Sequence, residues 1–109
     1  MNNLTYANQS DFEDKTSIKN KVILLDFYAD WCGPCNQLSI TLDSLALELP
    51  EQIHIVKINV DQNEALARKY EVRGIPQIVF MKNGITMEKM AGAKTLQFLK
   101  DKTTEFYNN

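Results

Sequence analysis

The sequence contains two cysteines, and both lie in the stretch Trp31-Cys32-Gly33-Pro34-Cys35. Two thiols separated by two residues can close a small disulfide ring or open it again, so the pair can carry two electrons. A purely structural disulfide would add little stability to the folded protein, because so small a ring removes little entropy from the unfolded chain. A zinc site would need about four ligands, and the chain offers no third cysteine and only His54. The spacing therefore favours a redox-active pair.

The flanking residues place this pair where a strand becomes a helix. Val22–Tyr28 is a nearly continuous apolar run, typical of a central strand covered on both faces, and leucines at helical spacing follow the cysteines. The start of that helix would stabilise a thiolate on Cys32 and lower its pKa below the free value of about 8.5. Pro34 suits the first helical turn, and Gly33 leaves the nucleophile open to a partner. We expect Cys32 to be the exposed thiol and Cys35 the shielded one.

The remaining sequence predicts alternating strands and helices that end in a hairpin. Strand-like runs occupy residues 4–6, 53–60, 77–81 and 85–90, and helical patterns begin near residues 10, 61 and 96. Ser10 and Glu13 have the spacing of a capping box for the first of these helices. Lys82-Asn83-Gly84 predicts a tight turn between antiparallel strands. The order of elements is that of an α/β domain.

Length, composition and charge exclude several classes of protein. The 109 residues, of which 44% are hydrophobic, predict one domain over residues 1–109 with its own core. Twelve basic residues are spread among fourteen acidic ones, so we expect no nucleic-acid partner. No stretch approaches the roughly 20 apolar residues of a membrane span, and the first four residues do not resemble a signal peptide. We therefore expect a cytoplasmic protein that does not bind membranes, and we also expect a monomer.

Two charged residues, Asp26 and Lys57, interrupt otherwise apolar strands. An ionised group in such a strand is costly unless it is paired or functional. The two residues therefore form a salt bridge with each other, face outward, or serve the reaction. Trp31 adjoins the nucleophile in a loop, which favours an exposed contact residue over a core residue. We interpret His54 as an ordinary surface or strand-edge residue.

Together these motifs resemble the thioredoxin family, and the resemblance covers nearly the whole chain. It rests on Asp26-Phe27, residues 29–35, Lys57 with Asn59 and Asp61, Arg73-Gly74-Ile75-Pro76, Lys82-Asn83-Gly84 and Gly92. It implies the thioredoxin fold, a central five-stranded mixed sheet flanked by four helices in three layers. The first and third strands would run parallel to the second, and the hairpin would run antiparallel to them.

The resemblance also implies a reaction. Cys32 would attack a disulfide of a target protein to give a mixed disulfide, and Cys35 would resolve it and release the reduced target. Asp26 would be buried behind Cys35 and accept its proton, with Lys57 nearby. The chain itself would bind no cofactor and no metal. A flavin-dependent thioredoxin reductase, using NADPH, would restore the dithiol.

A substrate-binding surface beside the cysteines is implied as well. The family's proline at position 76 is cis, and Ile75 could then offer its backbone N–H and C=O to an extended substrate segment. Such binding would tolerate many sequences, which suits a reductase with many targets. The same surface would include Trp31, Gly33, Pro34 and Gly92.

Four positions depart from the family pattern, and none removes a catalytic group. Tyr28 replaces a common tryptophan and keeps an aromatic ring. Asn36 stands where lysine is frequent, so a cation that would favour the nucleophilic thiolate is missing. Ile40 replaces a proline that would kink the long helix, and Gln77 replaces a threonine beside the substrate groove.

Two other functions compete with disulfide reduction. A disulfide oxidase or isomerase could use the same pair, although the oxidising relatives usually carry a histidine in the dipeptide that is here Gly33-Pro34. A non-catalytic scaffold subunit of a larger complex could use the same surface to hold a permanent partner. Replacement of both cysteines distinguishes a scaffold from a reductase, because a scaffold would keep its activity and a reductase would lose it.

Overall fold

The computed structural model describes residues 3–109. Within this range the chain forms β1 (Leu4–Tyr6), α1 (Phe12–Thr16), β2 (Val22–Tyr28), α2 (Gly33–Glu48), β3 (Ile53–Asn59), α3 (Glu64–Lys69), β4 (Gln77–Lys82), β5 (Ile85–Ala91) and α4 (Leu96–Tyr107). A search of the same residues for a helix that is both long and apolar enough to cross a membrane finds none.

The five strands form one mixed sheet in the order β1-β3-β2-β4-β5. β1 and β2 both run parallel to β3, whereas β4 runs antiparallel to β2 and β5 antiparallel to β4. β2 is the middle strand, and all of its residues except the last are buried. The predicted sheet, its strand directions and the central position of β2 are confirmed.

Each face of the sheet carries its own apolar cluster. One cluster joins the sheet to α2 and α4 and includes Leu24, Ile55, Leu38, Leu42 and Leu99. The other joins the sheet to α1 and α3 and includes Phe27, Val56, Phe12 and Leu66. Alternate residues of β2 and β3 therefore face opposite helical layers, and the predicted three layers are confirmed.

The hairpin between β4 and β5 turns at Asn83 and Gly84. Their φ angles are +51° and +81°, and a two-residue turn of this kind needs positive φ at both positions. Asparagine and glycine tolerate this conformation better than other residues. The sequence signal for an antiparallel pair is confirmed.

The predicted capping box of the first helix is wrong. Asp11, not Ser10, is the N-cap residue of α1, and no side chain caps the helix there. The Ser10 hydroxyl instead donates to Asn8 Oδ1 at 2.6 Å, and Asp11 Oδ1 accepts from the backbone N–H of Asn8 at 2.8 Å. These polar side chains stabilise the turn before the helix rather than the helix itself.

The interpretation of His54 as a surface or strand-edge residue is also wrong. His54 lies on β3, pairs with Ile23 of β2, and is only 9% exposed. β3 is an interior strand because the three-residue β1 covers its other edge. Burial and the nearby charge of Lys21 lower the pKa of His54.

Candidate active site

The two cysteines lie where the chain leaves the end of β2 and enters α2. Cys32 is the N-cap residue of α2, and Cys35 lies in its first turn. The two are joined by a disulfide, with their Cα atoms 5.2 Å apart. Pro34 also lies in the first turn, where its missing N–H leaves no helical hydrogen bond unmade. The predicted position of the pair at the start of a helix is confirmed.

The Cys32 sulfur contacts the amino-terminal end of the helix directly. It accepts a hydrogen bond from the backbone N–H of Cys35, with a sulfur–nitrogen distance of 3.2 Å. This N–H is one of the donors that a helix cannot satisfy from within, and the helix dipole adds positive potential at the same place. After reduction, both effects would favour a thiolate on Cys32.

Neither cysteine is exposed in the disulfide form, which contradicts the expectation of an open Cys32. The exposed fractions are 5% for Cys32 and 2% for Cys35. The cysteines form a small cluster with Ala29, against which Tyr28, Val60 and Ile75 pack. Val60 lies just after β3 and Ile75 lies in the loop before β4, and no local pattern predicts these contacts. The exposed residues at the site are the flanking ones, Trp31, Gly33 and Pro34.

Trp31 is 72% exposed beside the disulfide, as predicted. Its indole N–H donates to Asp61 Oδ2 at 2.8 Å. The backbone N–H of Asp61 in turn donates to Asn59 Oδ1 at 2.9 Å, which ties this carboxylate to the end of β3. The ring is therefore open to a partner and also held in one orientation.

The loop before β4 lies on the other side of the cysteines. The Ile75–Pro76 peptide bond is cis, as the family resemblance implied. Ile75 packs against the cysteine cluster, and within residues 3–109 its backbone N–H and C=O make no hydrogen bond. The Pro76 carbonyl accepts from the backbone N–H of Gly92 at 2.8 Å. Gly92 has a φ of +88°, a conformation that side chains disfavour.

Asp26 and Lys57 lie side by side on β2 and β3, beneath α2. Asp26 has no exposed surface, and Lys57 is also buried. The distance from Lys57 Nζ to Asp26 Oδ2 is 3.7 Å, which is too long for a hydrogen bond. Among the described residues, neither carboxylate oxygen of Asp26 has a hydrogen-bond partner. The outward-facing alternative for these two residues is therefore excluded.

Burial determines the protonation of Asp26. Removal from water raises the pKa of Asp26 to about 6, and the charge of Lys57 offsets only part of this rise. A carboxyl group with such a pKa can accept and release a proton near neutral pH.

A profile of the thioredoxin family matches residues 3–105. The chain belongs to the thioredoxin family. It is 41% identical over 93 residues to thioredoxin of Haemophilus influenzae, an alignment that covers 85% of this chain and 87% of that protein. It is 43% identical over 82 residues to thioredoxin of Chlamydia pneumoniae, covering 75% and 79% of the two chains.

A solved thioredoxin structure has the same fold. It is a mutant thioredoxin from Halobacterium salinarum NRC-1, which matches with a TM-score of 0.87 and 38% identity. The match covers 95% of this chain and 90% of that chain.

Thioredoxins are protein thiol-disulfide oxidoreductases, and Cys32 and Cys35 form the redox pair here. In general they act on disulfide-containing proteins, interact with a reductase, and bind no cofactor themselves. Between residues 3 and 109, no group of three or more His, Cys, Asp or Glu could hold a metal ion.

The sequence analysis missed two residues that contact Lys57, Ser39 and Tyr6. Lys57 Nζ donates to Ser39 Oγ at 2.6 Å, and its charge lies 5.2 Å from the ring centre of Tyr28 and 5.6 Å from that of Tyr6. Ser39 follows Cys35 by four residues, so both lie on the same helical face. That spacing would have allowed the sequence analysis to place Ser39 on the same helical face as Cys35. The Tyr6 contact depends on the pairing of β1 with β3, which has no comparable local signal.

The reduced protein is expected to react with iodoacetamide faster at Cys32 than at Cys35 at pH 7. The Cys35 N–H directed at the Cys32 sulfur would stabilise a thiolate there, whereas Cys35 lies within the first turn of the helix. Tandem mass spectrometry after brief labelling across pH would locate the label. In denaturant, as a control, the two thiols should react alike. Faster labelling of Cys35 in the folded protein would reverse the assignment.

Proposed function

We propose that this chain reduces disulfides of target proteins and is re-reduced by an NADPH-dependent thioredoxin reductase. The observation that supports this most is the disulfide between the N-cap residue Cys32 and Cys35, with a helix N–H directed at the Cys32 sulfur. The Gly33-Pro34 dipeptide, without a histidine, favours a reductase over an oxidase.

The first step forms a mixed disulfide. The Cys32 thiolate attacks one sulfur of the target disulfide, the target S–S bond breaks, and the second target sulfur leaves as a thiolate. The Cys35 N–H stabilises the attacking thiolate before the bond forms. Trp31, Gly33 and Pro34 are the exposed residues beside Cys32, so the target would approach past them.

The second step releases the target. Cys35 loses its proton and attacks the Cys32 sulfur, so the mixed disulfide breaks and the target leaves as its second thiolate. Two electrons have then passed to the target, and the chain holds the Cys32–Cys35 disulfide. We assign the proton acceptor to Asp26, directly or through solvent. Asp26 has a pKa of about 6 and lies beneath the helix that carries Cys35, and its oxygens accept no hydrogen bond from the described residues.

The target segment is proposed to pair with Ile75. Its backbone N–H and C=O are unpaired within the described chain, and its side chain packs beside the disulfide. An extended segment could therefore add to this backbone as a short strand. Pro76 and Gly92 would form the floor of the groove, because the Gly92 N–H binds the Pro76 carbonyl. Backbone pairing of this kind would accept many target sequences.

The same proposal names partners and a compartment. The reductase would carry the flavin and use NADPH, so this chain contributes only its thiols. A dithiol reductase works in a reducing compartment, which supports the cytoplasm. The mixed charges, with a net charge of −2, support neither a nucleic-acid nor a membrane partner. We propose that residues 1–109 act as one domain and as a monomer.

A coupled assay tests this function. Thioredoxin reductase, NADPH and a protein disulfide such as insulin would be mixed with the chain, and NADPH oxidation would be followed. We expect oxidation that depends on the chain and that disappears with Cys32→Ser. If the protein were a scaffold, the wild-type chain would give no NADPH oxidation in this assay. A variant with both cysteines replaced would still bind its partner.

A further inference from the structure

The ammonium group of Lys57 lies between two oxygen acceptors but bonds to only one of them. It donates to Ser39 Oγ on α2 at 2.6 Å, whereas Asp26 Oδ2 on β2 is 3.7 Å away. Only the first distance is that of a hydrogen bond. A charge-assisted bond to a carboxylate is normally the stronger of the two, so the preference for the serine hydroxyl reflects where α2 places it.

We propose that Ser39 is a positioning residue, whose hydroxyl holds Lys57 away from a direct hydrogen bond with Asp26 and thereby keeps Asp26 a good proton acceptor for Cys35. The proposal rests on the role of Asp26 given under the proposed function. It deepens that function, because it adds a residue that acts on the acceptor through Lys57.

The position of Lys57 controls Asp26 because few other charges are close. Burial raises the pKa of Asp26, and Lys57 is the charged group that lowers it. On β4, the residue that pairs with Asp26 is the apolar Ile78. On α2, the titratable group one turn before Ser39 is Cys35. A shorter contact between Lys57 and the carboxylate would therefore favour the ionised form and weaken Asp26 as a base.

The other neighbours of this site are neutral or act on a different group. The Tyr6 ring on β1 and the Tyr28 ring on β2 both face the ammonium of Lys57. The pKa of Tyr28 is raised by burial first, and then by Tyr6, Asp30 and Asp26. Tyr28 is therefore a neutral phenol near pH 7. The two rings leave Lys57 with two oxygen acceptors, the Ser39 hydroxyl and the Asp26 carboxylate.

Ser39→Ala tests the proposal. Without the hydroxyl, the buried ammonium needs another acceptor, and the nearest is Asp26. We expect the pKa of Asp26, followed through its carboxyl carbon by NMR, to fall by about one unit. The acid limb of the pH–rate profile for target reduction should move down with it, and the plateau rate should fall about threefold. Alanine is the best helix former, so the variant is expected to fold.

Two further variants separate positioning from packing. Ser44→Ala removes a partly buried hydroxyl from the same helix, away from Lys57, and should leave both the Asp26 titration and the pH profile unchanged. Ser39→Thr keeps a hydroxyl and should restore values close to wild type. An Asp26 pKa that is unmoved or raised in Ser39→Ala, or a fall that Ser39→Thr does not reverse, would overturn the proposal.

The NMR titration needs no target and no reductase. If the wild-type chain failed to reduce protein disulfides, the proposed function would be wrong, while the effect of Ser39 on the Asp26 carboxyl would still be measured. If reduction were normal and the titration were the same in wild type and Ser39→Ala, the role of Ser39 alone would be wrong.

Discussion

Replacement of Cys35 by serine is expected to abolish turnover with protein disulfides and to leave targets attached to Cys32. The first thiol can still attack, but no second thiol remains to break the mixed disulfide. Cys35 is the only candidate for this step, because the sequence contains no third cysteine. Reduced Cys35→Ser protein would be incubated with an oxidised protein or with lysate and separated on non-reducing gels. Adducts that disappear on reduction are the expected result.

The matched control is Cys32→Ser, which keeps the second thiol and loses the first. It should form few adducts, because Cys35 lies inside the first turn and is the more buried of the two. Wild-type turnover by Cys35→Ser, or abundant adducts on Cys35 in the control, would contradict the assigned order of attack.

The second large effect is expected for Asp26→Asn, which should stabilise the protein at neutral pH and slow its reaction. A shift of the Asp26 pKa from 3.8 to about 6 corresponds to about 3 kcal/mol of unfolding free energy. Asparagine has nearly the same shape and no charge to bury. Lys57 keeps its bond to Ser39 and its contact with the Tyr28 ring. Loss of the proposed proton acceptor should slow target release by about 10² or more.

The pH dependence of this stability has a defined sign. Because the folded-state pKa of Asp26 is raised, the native protein between about pH 4 and 6 binds a proton that the unfolded chain has released. The wild-type contribution is therefore fully present below the unfolded pKa and is lost as the pH rises through about 6. The asparagine variant has no such slope. The difference in unfolding free energy between Asp26→Asn and wild type should increase between about pH 4 and 6 and stay constant above that range.

Urea unfolding of both proteins at several pH values, together with rates of disulfide reduction, would measure the two effects. Asp43→Asn is a suitable control, because Asp43 is an exposed aspartate on α2 and should alter neither quantity. If the unfolding free energies of wild type and Asp26→Asn changed in parallel with pH and the reduction rates were equal, burial of Asp26 would not destabilise the protein and Asp26 would not serve the reaction.

The sequence by itself determined the features that depend on neighbouring residues. The spacing of Cys32 and Cys35 before a helix, the turn at Asn83 and Gly84, and the central strand Val22–Tyr28 follow from local chemistry. The first depends on the free N–H groups at the start of a helix, the second on residues that tolerate positive φ, and the third on an uninterrupted apolar run. Each can be recognised from a short stretch of sequence. Family resemblance then supplied the strand directions and the cis bond before Pro76.

Only the tertiary structure decided which distant residues meet. His54 lies on an interior strand because β1 adds to the edge of β3, and Ile75 packs against the cysteine cluster from a loop distant in sequence. The charges of Asp26 and Lys57 were visible in the sequence, but the Ser39 hydroxyl that accepts a hydrogen bond from Lys57 was not assigned. Ser39 reaches Lys57 only because α2 crosses that face of the sheet. Distances between side chains on separate elements depend on how those elements pack, and they set the proton chemistry of this site.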